Sequence, residues 1–98
     1  MATQTGTFRT QRAGRYIEQL CKHFAHKVEV SYDEMRGEAA LPAGPATMVA
    51  EPEMLRIAVT GKDAAALEMA RYVIDSHLKT FAFREGFEAM DWAEPEGL

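Results

Sequence analysis

Ninety-eight residues, 47% of them apolar and 27% charged, hold material for one hydrophobic core and not for two, so a single domain spanning 1–98 is expected. The lone cysteine, Cys21, excludes an internal disulfide, and no apolar run approaches the roughly 20 residues of a spanning helix, so a cytoplasmic protein with no membrane segment and no export signal is expected. The net charge of −4 is uneven, with five Lys or Arg against one acid in residues 1–27 and Arg84 alone against Glu85, Glu88, Asp91, Glu94 and Glu96 beyond residue 80.

Thr5 to Thr10 reads as a short, weak, edge-like strand, with Gly6, Phe8 and Thr10 on one face. Thr10 suits a helix N-cap, and a first helix follows from about Gln11 to His26. At about 100° per residue, Ala13, Ile17, Leu20, Cys21 and Phe24 form its core stripe, with Tyr16 at the edge. Gly14 weakens this helix by about 1 kcal/mol relative to Ala, so close packing or simple tolerance must account for it.

Val28, Val30 and Tyr32 alternate with polar residues as a half-buried strand does, Asp33 to Gly37 is a turn, and a strand around Glu38–Leu41 completes a hairpin. After the break at Pro42 to Pro45, strands are expected at Thr47–Ala50 and Leu55–Thr60, the latter with Leu55, Ile57 and Val59 inward. Asp63 or Thr60 caps a second helix running to about Thr80, with Leu67, Ala70, Ile74, Leu78 and Phe81 as its stripe. Phe83, Phe87 and Trp92 require a last extended segment that packs back on the domain, so the core spans about 5–92 and the polar residues 93–98 are expected to fray. The resulting class is α+β, a mainly antiparallel sheet of four to five strands covered by two helices in the order β-α-β-β-β-β-α-(β).

The densest chemistry lies in Leu20 to Lys27, "LCKHFAHK". Cys21, His23 and His26 are residue types that zinc prefers, but a helix separates Cys21 from His23 by about 160° and aims His26 away from Cys21. No metal site is expected, and Cys21 is read as a core residue. A nucleophile pair of Cys21 with His23 fails on the same geometry, which leaves only a base from another segment, such as His77. His77 falls within the second helix's apolar stripe, where a half-buried histidine satisfied by one hydrogen bond is favoured over a catalytic or ligand-binding one. Arg12, Arg15, Lys22 and His26 align as a basic face on the first helix, with Glu18 placed to pair with Lys22. That face lacks interleaved aromatics in an acidic chain, so no nucleic-acid partner is expected. Phosphate-binding glycine loops, a serine-nucleophile elbow and a zinc-protease helix motif are absent, so no cofactor is expected either.

Two segments, "RYIEQLCKHFAHKVEV" from Arg15 to Val30 and "IDSHLKTFAFRE" from Ile74 to Glu85, followed by Trp92, resemble the two ends of a small bacterial family catalogued as domain of unknown function 2218. The resemblance runs from about Thr7 to Trp92 and includes the Leu-x-Ile-x-Val strand at residues 55–59. It implies a stand-alone α+β domain similar in build to the C-terminal domain of phosphohexomutases. It also suggests a link to iron acquisition, because similar domains are attached to siderophore-interacting flavoproteins. The signature residues include His23, His77 and Arg84, which the two helices could bring into one pocket for an anionic small molecule or a metal chelate.

The expected function is therefore a non-enzymatic domain that binds a ligand or a protein partner, with iron or siderophore metabolism as the suggested setting. The alternative is a small enzyme using His23 or His77 as acid and base. A third is a structural or homodimerising module, favoured if the sheet exposes a broad apolar face that includes methionines such as Met35, Met48, Met54, Met69 and Met90.

Overall fold

The computed structural model describes residues 1–97. The chain runs through β1 (Ala2–Arg9), α1 (Ala13–Phe24), β2 (Val30–Tyr32), β3 (Arg36–Ala39), β4 (Ala46–Glu51), β5 (Met54–Gly61), α2 (Ala64–Phe81), a 3-10 turn at Phe83–Glu85 and β6 (Asp91–Trp92). The strands join in one sheet of order β2-β3-β4-β5-β1-β6, every neighbouring pair antiparallel. The element order is the expected one, but the sheet has six strands rather than four to five. The first strand is not an edge: β1 pairs with β5 over its whole length and with β6 on its other side.

Both helices cover the same face, α1 over β2, β3 and β4, and α2 over β5 and β1. The stripe read from helical periodicity is the one that is buried, since Ala13, Tyr16, Ile17, Leu20, Cys21 and Phe24 all face the sheet. Fully buried Ile17 and Leu20 meet Leu55, Ile57 and Val59 of β5 in one core, each such side chain contributing about 2 kcal/mol of burial. On α2 the inward residues are Leu67, Ala70, Ile74 and Leu78, and the Asp63 carboxylate caps the helix by accepting from Ala66 N–H at 2.9 Å. Gly14 is there for close packing: a Cβ at that position would come within 2.5 Å of the Glu34 carbonyl oxygen.

The C-terminal segment does not fray as expected. Thr3 and Glu96 exchange two backbone hydrogen bonds of 2.8 Å, Ala93 N–H donates to Thr5 O at 2.9 Å, and Leu98 lies outside the described residues. Side chains reinforce this return. Asp75 of α2 accepts from Trp92 Nε1 at 2.9 Å and Met90 N–H at 3.0 Å, while buried Gln4 donates to Ala93 O at 2.7 Å. Trp92 lies over Gly6 on the helix side, where a Cβ would be only 2.7 Å from the indole.

The opposite face of the sheet carries Thr3, Thr5, Thr7, Thr47 and Thr60 with Arg9, Arg36, Arg56 and Glu38, so it is not the broad apolar face that a methionine-lined interface needs. Met48 and Met90 are buried, whereas Met35 and Met69 are exposed singly. Among the described residues no helix is long and apolar enough to cross a membrane.

Candidate functional site

His23 and His77 meet. Helix α1 stops at Phe24 because the chain tightens into successive turns, with Lys27 N–H and Val28 N–H both donating to Phe24 O at 3.0 and 2.9 Å. His23 therefore projects from the last helical turn toward α2, and its ring centroid is 4.5 Å from that of His77. Phe24 packs edge-on to His77 at 5.2 Å and Phe81 to His23 at 6.2 Å, so aromatic rings hold the pair in place. His77 Nδ1 is 2.6 Å from Val73 O; a carbonyl only accepts, so the neutral ring carries its proton on Nδ1 and a lone pair on Nε2.

Beside this pair opens a cavity of about 360 Å³. Its wall is apolar, built from Phe24, Val28, Leu41, Pro42 and Val73, and its polar rim is His23, His26, Lys27 and His77. Every ionisable group in that lining is basic. The pKa of His23 is lowered, first by partial desolvation of its largely exposed ring and then by the charges of His77, His26 and Lys27. Lys27 and any protonated ring of this rim have no carboxylate beside them in the lining, and a bound anion would supply one.

Arg84 does not join it. The chain reverses after Phe81 and carries the 3-10 turn toward the N-terminal end of α1, where Arg84 lies over Phe83 and lines a separate depression with Arg9, Arg12 and Glu85. The expected three-residue pocket of His23, His77 and Arg84 is thus reduced to its two histidines. Nor is the basic face of α1 continuous. Arg12 is the N-cap residue and borders the Arg84 depression, Arg15 borders another beside Glu18, and Lys22 pairs with Glu18 at 3.8 Å in full view of solvent. His26 lies beyond the helix end, and this lets it turn to the histidine cavity.

Cys21 is buried against β3, and burial pushes its thiol pKa up. Among the described residues no group of three His, Cys, Asp or Glu is disposed to hold a metal ion.

A polar cluster escaped the sequence reading. Tyr16 Oη donates to Glu85 Oε2, and Thr10 Oγ1 donates to the same oxygen at 3.0 Å while accepting from Arg12 N–H at 3.0 Å. Burial, followed by the hydrogen bond and charge of Glu85, pushes the Tyr16 hydroxyl up to about 12. The signal available in the sequence was Tyr16 itself: a tyrosine at the edge of a buried stripe needs a hydrogen-bond partner, but nothing in the sequence says which.

A two-layer α+β domain with a histidine-rimmed cavity at one end of its helical layer is the class these features define. The chain belongs to the family described as uncharacterized proteins conserved in bacteria, DUF2218, whose model matches residues 5–93. It is similar to PA4090 from Pseudomonas aeruginosa, whose NMR structure superposes with a TM-score of 0.78 at 30% sequence identity, covering 95% of this chain and 96% of that one. No curated protein matches the chain.

Proposed function

We propose that this domain is a non-enzymatic binding module that takes up a small organic anion in the histidine cavity. The observation that carries the reading is the apposition of His23 and His77 at 4.5 Å on the rim of an apolar cavity whose ionisable lining is entirely basic. Such a lining favours an amphipathic ligand, with a carboxylate or catecholate between the histidines and Lys27 and its carbon skeleton against Phe24, Leu41 and Val73. A metal chelate of that chemistry belongs to the same class, and the resemblance to domains attached to siderophore-interacting flavoproteins supports iron acquisition as the setting proposed for it.

Titration with salicylate and 2,3-dihydroxybenzoate, followed by NMR of the histidine rings, tests this directly. Saturable shifts at His23 and His77 are expected, weakened about tenfold by His23→Ala, which removes roughly one charge-assisted hydrogen bond. Equal shifts with the uncharged salicyl alcohol, or none with any probe, would sink the proposal. One observation supports an acid-base enzyme instead: the Val73 carbonyl orients His77 with Nε2 free to take a proton. Chemical change of a bound probe, abolished by His77→Gln, would favour that second reading.

A further inference from the structure

The sheet face that no helix covers has a symmetry of charge about β5, one of its two middle strands. The register places Asp91, Thr7, Arg56, Val49 and Arg36 in one cross-strand row, in the order β6, β1, β5, β4, β3. One step along the strands, Arg9, Met54 and Glu51 form a second row across β1, β5 and β4. In both rows the positions equidistant from β5 carry opposite charges: Asp91 against Arg36, and Arg9 against Glu51. A further row sets Thr5 and Thr47 on either side of Ala58, with Glu38 beyond Thr47 as the one charge of the face that has no opposite at the equivalent position.

We infer that this face is the interface of a homodimer, two copies related by a two-fold axis running close to β5. That operation lays Arg36 of one copy toward Asp91 of the other and Arg9 toward Glu51, twice each, and brings Ala58 and Met54 against their own counterparts. Sheets packed face to face cross at about 30°, a rotation small enough that long arginine side chains two strands from the axis still reach their partners. Arg56, on the axis, is the one residue that like charge would trouble, and Glu51 already holds it in the same chain at 3.2 and 3.3 Å. The composition points the same way. All three cations of the face are arginines, and among the described residues none of the chain's lysines lies on it; interfaces enrich Arg and Met and deplete Lys.

The area sets the strength. Eight-residue β1 and β5, at about 3.3 Å per residue, and five strand spacings of about 4.8 Å bound the face at about 600 Å² per copy. Two copies bury at most about 1,200 Å², the lower edge of specific interfaces, so association is reversible and concentration-dependent. It rests on matched charge and small side chains, not on the methionine surface that the fold lacks.

Sedimentation equilibrium of the full chain over a wide concentration range is the test. The expected mass rises toward twice 10.9 kDa, Arg36→Asp and Asp91→Arg each weaken association about tenfold, and the double variant restores it. Ala58→Arg, at the axis, abolishes the dimer while Trp92 fluorescence and circular dichroism report an intact fold. A single-chain mass at every concentration overturns the inference. So does a dimer indifferent to Ala58→Arg, or a double charge reversal no tighter than either single one.

Discussion

The two ends of α1 both press ionisable side chains against the C-terminal half of the fold, with opposite outcomes. At the N-terminal end, Tyr16 and Thr10 donate to one carboxylate oxygen of Glu85, and the donors are matched to an acceptor within the chain. At the C-terminal end, His23 and His77 face each other with His26 and Lys27 nearby, no carboxylate among the described residues lines their cavity, and His23 is pushed toward its neutral form. Matched polar groups lock a structure, whereas unmatched ones of a single sign leave a demand that a ligand can meet. The contrast separates a structural cluster from a functional one without recourse to which residues look reactive.

Breaking the matched end should cost stability. Glu85→Ala takes the acceptor from two buried hydroxyls at once, and a loss of about 2 kcal/mol is expected in urea unfolding, since each stranded donor costs at least about 1 kcal/mol. An unchanged midpoint would mean that water replaces the carboxylate. Tyr16→Phe removes one donor and leaves Thr10 on Glu85, so a loss of about 1.5 kcal/mol is expected at neutral pH. That difference depends on pH. The fold raises the Tyr16 pKa from 10.0 to about 12, so its contribution is complete below pH 10 and disappears as pH climbs through 12. Unfolding midpoints of the wild type and Tyr16→Phe should converge over that interval, and parallel curves would refute the assignment.

The same contrast explains what was legible in the sequence. Periodicity within one element is a local property, so the inward stripe of α1, the alternation of Leu55, Ile57 and Val59, and the Asp63 cap could all be read from neighbours a few residues apart. Partners across the chain could not. Tyr16 and Glu85 are 69 residues apart, and the strand that closes the sheet is the two-residue Asp91–Trp92, too short for any alternation. The acidic tail looked like a solvated end because its pairing with Thr3 and Thr5 uses backbone groups, which composition does not reveal. His23 and His77 were marked by type and by family resemblance. Arg84 was misplaced because the chain reversal after Phe81 is set by tertiary packing, and His26 was assigned to a helix that stops two residues earlier.

The unmatched end should yield the smallest change in stability and the most informative titration. His77→Gln keeps a side chain able to donate to Val73 O, so unfolding at pH 7.5 should move by less than about 0.5 kcal/mol. Its effect is on charge. The folded-state pKa of His23 lies below 6.5, so the neutral ring's contribution is present above that pH and is lost as pH falls through the depressed value. Removing His77 deletes one of the positive neighbours, and the NMR midpoint of His23 should rise. It should nonetheless stay below 6.5, because desolvation by the remaining neighbours Phe24 and Phe81 persists together with the charges of His26 and Lys27. An unmoved midpoint would mean that the rings meet without sensing each other, and the cavity would lose the electrostatic ground for preferring an anion. A bound carboxylate should raise the same midpoint further, in proportion to occupancy, while leaving the alkaline titration at Tyr16 untouched.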